Sequence, residues 1–210
     1  MKFPRTGLYA ITQTDHKTID TILEEVAAAI RGGAAVVQYR DKNPVDAALL
    51  ARELVKLCHR QNVPLIINDD VDLAVQSGAD GVHLGKEDGH LAEARKRLGA
   101  DAIIGVSCYD SVERAVEAER EGATYVAFGR FFPSSSKPLA SPARIDTLGQ
   151  AKRILHIPIV AIGGILPSNG APLLEAGADL LAVIGGIFDR QPEQSARAYL
   201  PLFESESALP

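Results

Sequence analysis

Five times the chain closes a helical pattern with Gly-Ala and opens a short apolar run: Gly33-Ala34, Gly78-Ala79, Gly99-Ala100, Gly122-Ala123 and Gly177-Ala178. In three copies the next residue is aspartate (Asp80, Asp101, Asp179). Glycine just past a helix takes left-handed backbone without the steric penalty a side chain brings, and so ends the last turn. The same stop before successive apolar runs predicts a helix-to-strand unit used again and again, which leaves few architectures open.

Eight apolar runs fit that unit: 7–12, 35–40, 64–69, 81–85, 102–108, 125–129, 158–164 and 180–185. Each is short, bounded by turn residues and rich in Val and Ile, which favours buried strands over pieces of helix. Helical patterns lie between them. In the first, Ile19, Ile22, Leu23, Val26, Ala27 and Ile30 share one face. The second is expected to open with Asn43 as cap and Pro44 in the first helical position, and to stop near Asn62. The sixth is expected over about 146–155, ending before Pro158. Hydrophobic strands alternating with helices predict a parallel sheet covered by helices.

Eight such units predict an α/β fold closed into a single (β/α)8 TIM barrel. An open doubly wound sheet is the alternative, but the first turn lacks the G-x-G-x-x-G phosphate signature of that class. One domain over residues 1–210 accounts for the pattern, with a polar tail from Glu204 to Pro210.

Hydrophobic residues make up 46% of the chain, enough for one good core, and the net charge of −5 argues against a broad nucleic-acid surface. There is neither an apolar stretch of membrane-spanning length nor a signal-peptide core, so a soluble cytoplasmic protein is expected. Cys58 and Cys108 form no metal spacing and no disulfide framework, and Cys108 reads as a small buried hydrophobe rather than a nucleophile.

In a barrel of this kind chemistry sits where strands end and loops begin. The second strand leads into Gln38-Tyr39-Arg40-Asp41-Lys42. Strand side chains alternate, so Gln38 and Arg40 face one side, with Lys42 as a candidate third, and Val37 and Tyr39 face the other. Cations aimed at a barrel mouth call for an anion to meet them. The third strand ends in Asn68-Asp69-Asp70, and a helix cap accounts for one residue of the three. The fourth ends in His83-Leu84-Gly85-Lys86-Glu87-Asp88. Acids from neighbouring strands offered to one mouth suit Mg²⁺, which takes few carboxylates and keeps water or phosphate oxygens; Asp69 and Asp88 are the expected pair. Ser107 ends the fifth strand.

The segment after the sixth strand, 130–142, carries three prolines and the run Ser134-Ser135-Ser136-Lys137. A long loop inside a compact domain is usually a lid or a binding loop, and hydroxyls, backbone N–H groups and a lysine grip phosphate. The seventh strand ends in Gly163-Gly164 and the eighth in Ile184-Gly185-Gly186. Loops after these two strands often bind phosphate in such barrels.

With these residues in hand the chain resembles the thiamine-phosphate synthase family over nearly its whole length. The matching stretches are Leu8-Tyr9-Ala10-Ile11-Thr12, the run from Gln38 to Lys42, Ile66-Ile67-Asn68-Asp69-Asp70, 78–88, Gly105-Val106-Ser107, 128–137 and Ala161-Ile162-Gly163-Gly164-Ile165. The resemblance implies a transferase of thiamine biosynthesis. It would condense 4-amino-2-methyl-5-(diphosphooxymethyl)pyrimidine with a thiazole phosphate, with Mg²⁺, to give thiamine monophosphate and diphosphate. Gln38, Tyr39, Arg40, Asp41, Lys42, Asn68, Ser107 and Lys137 would hold the pyrimidine diphosphate, Arg40, Lys42 and Lys137 with catalytic weight. Asp69 and Asp88 would ligate Mg²⁺. Ser134, Ser135, Ser136, Gly164, Ile184 and Gly185 would hold the thiazole phosphate. The chain departs from the family where Ser134 and Ser136 replace threonines, where Lys86 replaces a frequent Gln, and where Gly185 replaces a frequent Ser and leaves only a backbone contact.

The expected partners are these two small molecules; a homo-oligomer is left open. The rival readings are a thiazole tautomerase of the same superfamily, with His83 as its proton-transfer residue, and a non-catalytic sensor of a phosphorylated metabolite.

Overall fold

The computed structural model of the chain describes residues 1–85, 91–133 and 141–204. Eight strands run parallel in a closed ring: β1 (Gly7–Ile11), β2 (Ala34–Tyr39), β3 (Leu65–Asn68), β4 (Gly81–Leu84), β5 (Ile103–Tyr109), β6 (Tyr125–Phe128), β7 (Ile159–Ile162) and β8 (Leu180–Val183), with β8 paired back onto β1. Each lies within two residues of the run expected from sequence. The fold is therefore the closed (β/α)8 barrel and not the open sheet.

The helices that lean on this ring include α1 (Ile19–Arg31), α2 (Ala47–Arg60), α3 (Val71–Ser77), α4 (Leu91–Leu98), α5 (Val112–Arg120), α6 (Ile145–Lys152) and α7 (Ala171–Glu175), followed by α8 (Gly185–Phe188), α9 (Pro192–Arg197) and α10 (Leu200–Glu204). Thr18 caps α1 by accepting from the Thr21 N–H, and Ile22, Val26 and Ala29 are its buried stripe. One expectation is corrected. Asn43-Pro44 does not open α2: the helix starts three residues later, because the Asp46 carboxylate accepts from the Leu49 N–H at 2.9 Å and supplies the cap.

All five Gly-Ala glycines have positive φ, from 73° at Gly78 to 115° at Gly177. In three of the five copies the residue after the pair has a further role. Asp80 accepts from the Leu65 N–H at 2.9 Å, Asp179 from the Ile159 N–H at 2.8 Å, and Thr124 from the Ile104 N–H at 3.0 Å. Each of these side chains thus clamps one of the first amides of the preceding strand, so in these copies the motif both ends a helix and ties neighbouring strands in register.

Asp80 is the most buried of these carboxylate clamps. Its side chain is 5% exposed and is held by the Met1 amino group, by His59 Nε2 and by Leu65 N, each at 2.9 Å. Burial pushes its carboxyl up, but the hydrogen bonds from the amino terminus, Leu65 and His59 outweigh that and hold it below the usual carboxylate range. A lowered folded-state pKa gives stability that is present above the unfolded value and is lost as pH falls through the folded one. Asp80→Ala is expected to lower unfolding free energy by about 2 kcal/mol at neutral pH, because a buried strand amide loses its acceptor. The shift in the urea midpoint checks this, and the difference from wild type should shrink in acid.

Alternation along the strands sorts the apolar residues into two layers. Leu8, Val37, Ile67, Val82, Val126 and Leu181 face outward to the helices. Tyr9, Val36, Ile66, Ile103, Tyr125, Val160 and Leu180 fill the barrel. Phe3, just before β1, stacks on the Tyr125 ring with centroids 4.1 Å apart and so packs the barrel's amino-terminal end. At the carboxyl-terminal end the inward positions on β6 and β8 are only Ala127 and Ala182, and the core opens there into a cavity.

Candidate active site

The cavity holds about 560 Å³ at the carboxyl-terminal mouth of the barrel. Its wall brings together Gln38, Arg40, Asn68, Asp69, Ser107, Gly164, Ile184 and Gly185, residues from the ends of β2, β3, β5, β7 and β8. Tyr39, Asp41 and Lys42 are not part of that wall. Tyr39 points into the outer layer between strand and helix, Asp41 accepts from the Asn43 N–H at 3.0 Å, and Lys42 is exposed. Asp88, Ser134, Ser135, Ser136 and Lys137 lie outside the described residues, as does Lys86.

Backbone contacts between neighbouring strand ends set the side chains. The Thr12 hydroxyl accepts from the Arg40 N–H at 2.9 Å and lies 3.0 Å from the Arg40 carbonyl, to which it donates, so the residue after β2 is gripped in both directions. Asp70 serves as the cap of α3, accepting from the Leu73 N–H at 2.8 Å. That leaves Asn68 and Asp69 to the cavity. Asp69 adopts left-handed backbone with φ 63°, a conformation that aspartate tolerates better than most residues, and this stops β3. Its N–H donates to the His83 carbonyl at 2.8 Å, and its carboxylate accepts from Asn68 Nδ2 at 2.6 Å.

The end of β5 is tied from outside the barrel. Arg114 on α5 donates to the Ser107 carbonyl at 2.8 Å and to the Gly85 carbonyl at 3.3 Å, linking the ends of β4 and β5. The glycine turns also pack closely against neighbouring chain. A side chain on Gly164 would run into Pro133 and Phe132, and one on Gly185 would run into the Asp189 carboxylate. The segment after β6 therefore lies against the β7 turn, with Phe132 N–H donating to the Gly163 carbonyl at 3.0 Å. The Arg130 carbonyl accepts from the Ala143 N–H at 2.7 Å, which draws the two ends of the long loop together.

Several wall residues were not singled out from sequence: Tyr9, Tyr109, Tyr125, Arg130 and Asp189. The inward parity of Tyr9 and Tyr125 was readable, but a strand tyrosine looks like ordinary core until its hydroxyl finds a partner. Here it does. Gln38 Nε2 donates to the Tyr9 hydroxyl at 2.9 Å, the Tyr9 and Tyr125 hydroxyls lie 2.8 Å apart, Tyr125 reaches His83 Nδ1 at 2.9 Å, and His83 Nε2 reaches Ser107 at 2.9 Å. Burial raises both tyrosines well above their usual range, so they remain neutral hydroxyls. Burial also pushes the Cys108 thiol up to about 12, which leaves it no part as a thiolate nucleophile at neutral pH.

Charges on the described wall are mixed: Arg40 and Arg130 against Asp69 and Asp189. A polyanion seated against Arg40 would meet the Asp69 carboxylate unless a cation stood between them. Asp69 offers hard oxygen at the cavity wall, which suits Mg²⁺ completed by phosphate oxygens and water. Among the described residues no cluster of three or more metal-binding side chains forms.

The fold is a (β/α)8 barrel with its cavity at the carboxyl-terminal mouth, the face at which enzymes of this class act. Comparison with known proteins narrows that class. The family model described as thiamine monophosphate synthase matches residues 8–187. The chain is 50% identical over 208 residues to the thiamine-phosphate synthase of Methylococcus capsulatus, covering 98% of this chain and 92% of that one. It is 48% identical over 202 residues to that of Nitrosococcus oceani, covering 95% and 93%. Among solved structures, thiamine phosphate pyrophosphorylase from Pyrococcus furiosus superimposes with a TM-score of 0.86 at 32% identity, covering 96% of each chain. The chain belongs to the thiamine monophosphate synthase family, and it is a transferase of thiamine biosynthesis.

Proposed function

We propose that the cavity joins 4-amino-2-methyl-5-(diphosphooxymethyl)pyrimidine to a thiazole phosphate, releasing diphosphate and giving thiamine monophosphate. The observation that carries this reading is the convergence of Gln38, Arg40, Asn68, Asp69 and Ser107 with Gly164, Ile184 and Gly185 on one mouth. The first five would hold the pyrimidine diphosphate, and the last three, with Ser134, Ser135 and Ser136, the thiazole phosphate. A cytoplasmic setting is part of the same reading.

The thiazole ring nitrogen is already a nucleophile, so no general base is needed. The pyrimidine amino group donates electrons toward the exocyclic carbon, whose bond to the diphosphate oxygen breaks with the electron pair leaving on that oxygen. The nitrogen then bonds to the same carbon. What remains for the protein is to offset the charge of the departing anion and to hold the two partners in line. Arg40 faces the anion from the wall; Lys42, exposed beyond it, and Lys137 add positive charge. Mg²⁺, held by Asp69 and Asp88, supplies when bound a divalent charge against the leaving diphosphate. Ser107 and Gln38 orient the pyrimidine ring.

The tautomerase reading needs a residue that passes a proton to substrate. Both ring nitrogens of His83 are engaged, by Tyr125 and by Ser107, which favours a wall role for it. Incubating the protein with both substrates and Mg²⁺ separates the readings. Equal amounts of thiamine monophosphate and diphosphate are expected. Conversion of a thiazole phosphate isomer without the pyrimidine would mark a tautomerase, and binding without product a sensor.

A further inference from the structure

Five inward side chains from five strands are joined in series across the barrel: Gln38 on β2, Tyr9 on β1, Tyr125 on β6, His83 on β4 and Ser107 on β5. Tyr9, Gln38 and Tyr125 are at most 3% exposed and His83 is 9% exposed, while Ser107 is half-buried at the cavity wall. Two of the five, Gln38 and Ser107, are the residues given to the pyrimidine ring above. The other three have no assigned part in the reaction.

Counting protons sets the direction of the series when every buried proton is given to the next member. A hydroxyl has one proton to give, and a neutral imidazole has one N–H and one bare nitrogen. Gln38 gives an amide proton to Tyr9. The Tyr9 proton then goes to Tyr125, and the Tyr125 proton to His83 Nδ1. His83 must carry its own proton on Nε2 and give it to the Ser107 oxygen. The Ser107 proton is left for the cavity, and so is the Gln38 side-chain oxygen Oε1, which accepts no hydrogen bond among the described residues. Turning the Gln38 amide over would reverse every link, so the two cavity ends change polarity together or not at all.

The ring itself is built for this. The tip of Tyr125 lies where a β-carbon on Gly105 would stand, and Gly105 is the inward residue of β5 paired with His83. Phe3 stacks on the face of the same ring. The hydroxyl is thereby confined between Tyr9 and His83 rather than free to choose a partner.

Building on the pyrimidine subsite proposed above, we infer that Tyr9, Tyr125 and His83 are positioning residues that lock Gln38 as an acceptor and Ser107 as a donor toward the substrate. They act through those two residues and touch no reacting atom. A site with fixed polarity of this kind favours a ring that offers an amino hydrogen beside a bare ring nitrogen over one that offers an oxo group beside an N–H.

Histidine-selective ¹⁵N NMR of the substrate-free protein reads the lock directly. His83 is expected as the Nε2–H tautomer alone in wild type; the Nδ1–H tautomer would overturn the assigned direction. Tyr125→Phe removes the donor to Nδ1, so a second His83 tautomer is expected to appear. The same variant should lower kcat/KM for the pyrimidine diphosphate about tenfold and leave KM for the thiazole phosphate unchanged. Tyr9→Phe should act in the same direction, and the double variant should lose about as much as one single variant, because both break one series. A single unaltered tautomer in Tyr125→Phe, equal losses for both substrates, or additive losses in the double variant would overturn the proposal. The NMR arm needs no turnover, so a wild-type protein that makes no thiamine monophosphate would sink the proposed reaction without touching this result.

Discussion

Arg40→Ala is expected to lower kcat by roughly ten- to a thousandfold, the range seen when one electrostatic stabiliser of a developing charge is removed. Arg40 is half-buried on the cavity wall and its backbone is gripped by Thr12 on both the N–H and the carbonyl side. Such a residue keeps its direction, and its guanidinium is available as a preformed fork for phosphate oxygens. The lower end of the range applies if Arg130, on the same wall, takes over part of the field. The loss should fall on kcat and on the pyrimidine diphosphate, since the charge being offset grows as the C–O bond breaks. Arg40→Lys keeps the charge but not the fork and should fall between. Wild-type turnover by Arg40→Ala would remove Arg40 from the reaction.

Asp69→Ala should raise the Mg²⁺ concentration needed for half-maximal activity by about tenfold or more, the scale on which metal sites respond even to loss of an outer hydrogen-bond partner. The adjacent acid provides an internal comparison. Asp70 caps α3, so Asp70→Ala should lower stability by about 1 kcal/mol and leave the Mg²⁺ titration where it was. Two neighbouring carboxylates therefore separate into one that answers to metal and one that answers to denaturant. An unchanged titration in Asp69→Ala, or a shifted one in Asp70→Ala, would refute the assignment.

The barrel was legible because its signals are local. A glycine that must take positive φ, a β-branched run and a turn residue all act within a few positions of one another, and the five Gly-Ala pairs carried most of the architecture. The start of α2 was not legible for the same reason: Asn43-Pro44 is as good a local cap signal as Asp46, and only the Leu49 amide decides between them. At the mouth, alternation alone placed Gln38 and Arg40 on the cavity side and Tyr39 away from it. It held one residue past the strand end at Tyr39, to Arg40, and did not hold as far as Lys42.

The series through Tyr9 and Tyr125 was hidden from sequence for a physical reason. The two hydroxyls meet across the barrel from positions 116 residues apart, and nothing near either tyrosine marks it as polar-facing. Gly105 is the same kind of case. In the sequence it is a glycine in an apolar run, and its reason, the tip of the Tyr125 ring, emerges only once β5 and β6 are paired.

The central claim is that a metal and a leaving diphosphate meet at the mouth between Arg40 and Asp69. A crystal structure of the protein with Mn²⁺ in place of Mg²⁺ and with inorganic pyrophosphate tests it most directly. The account predicts an anomalous peak bonded to an Asp69 carboxylate oxygen, with pyrophosphate oxygens shared between that ion and the Arg40 guanidinium. A metal bound elsewhere, or pyrophosphate seated away from both residues, would contradict it.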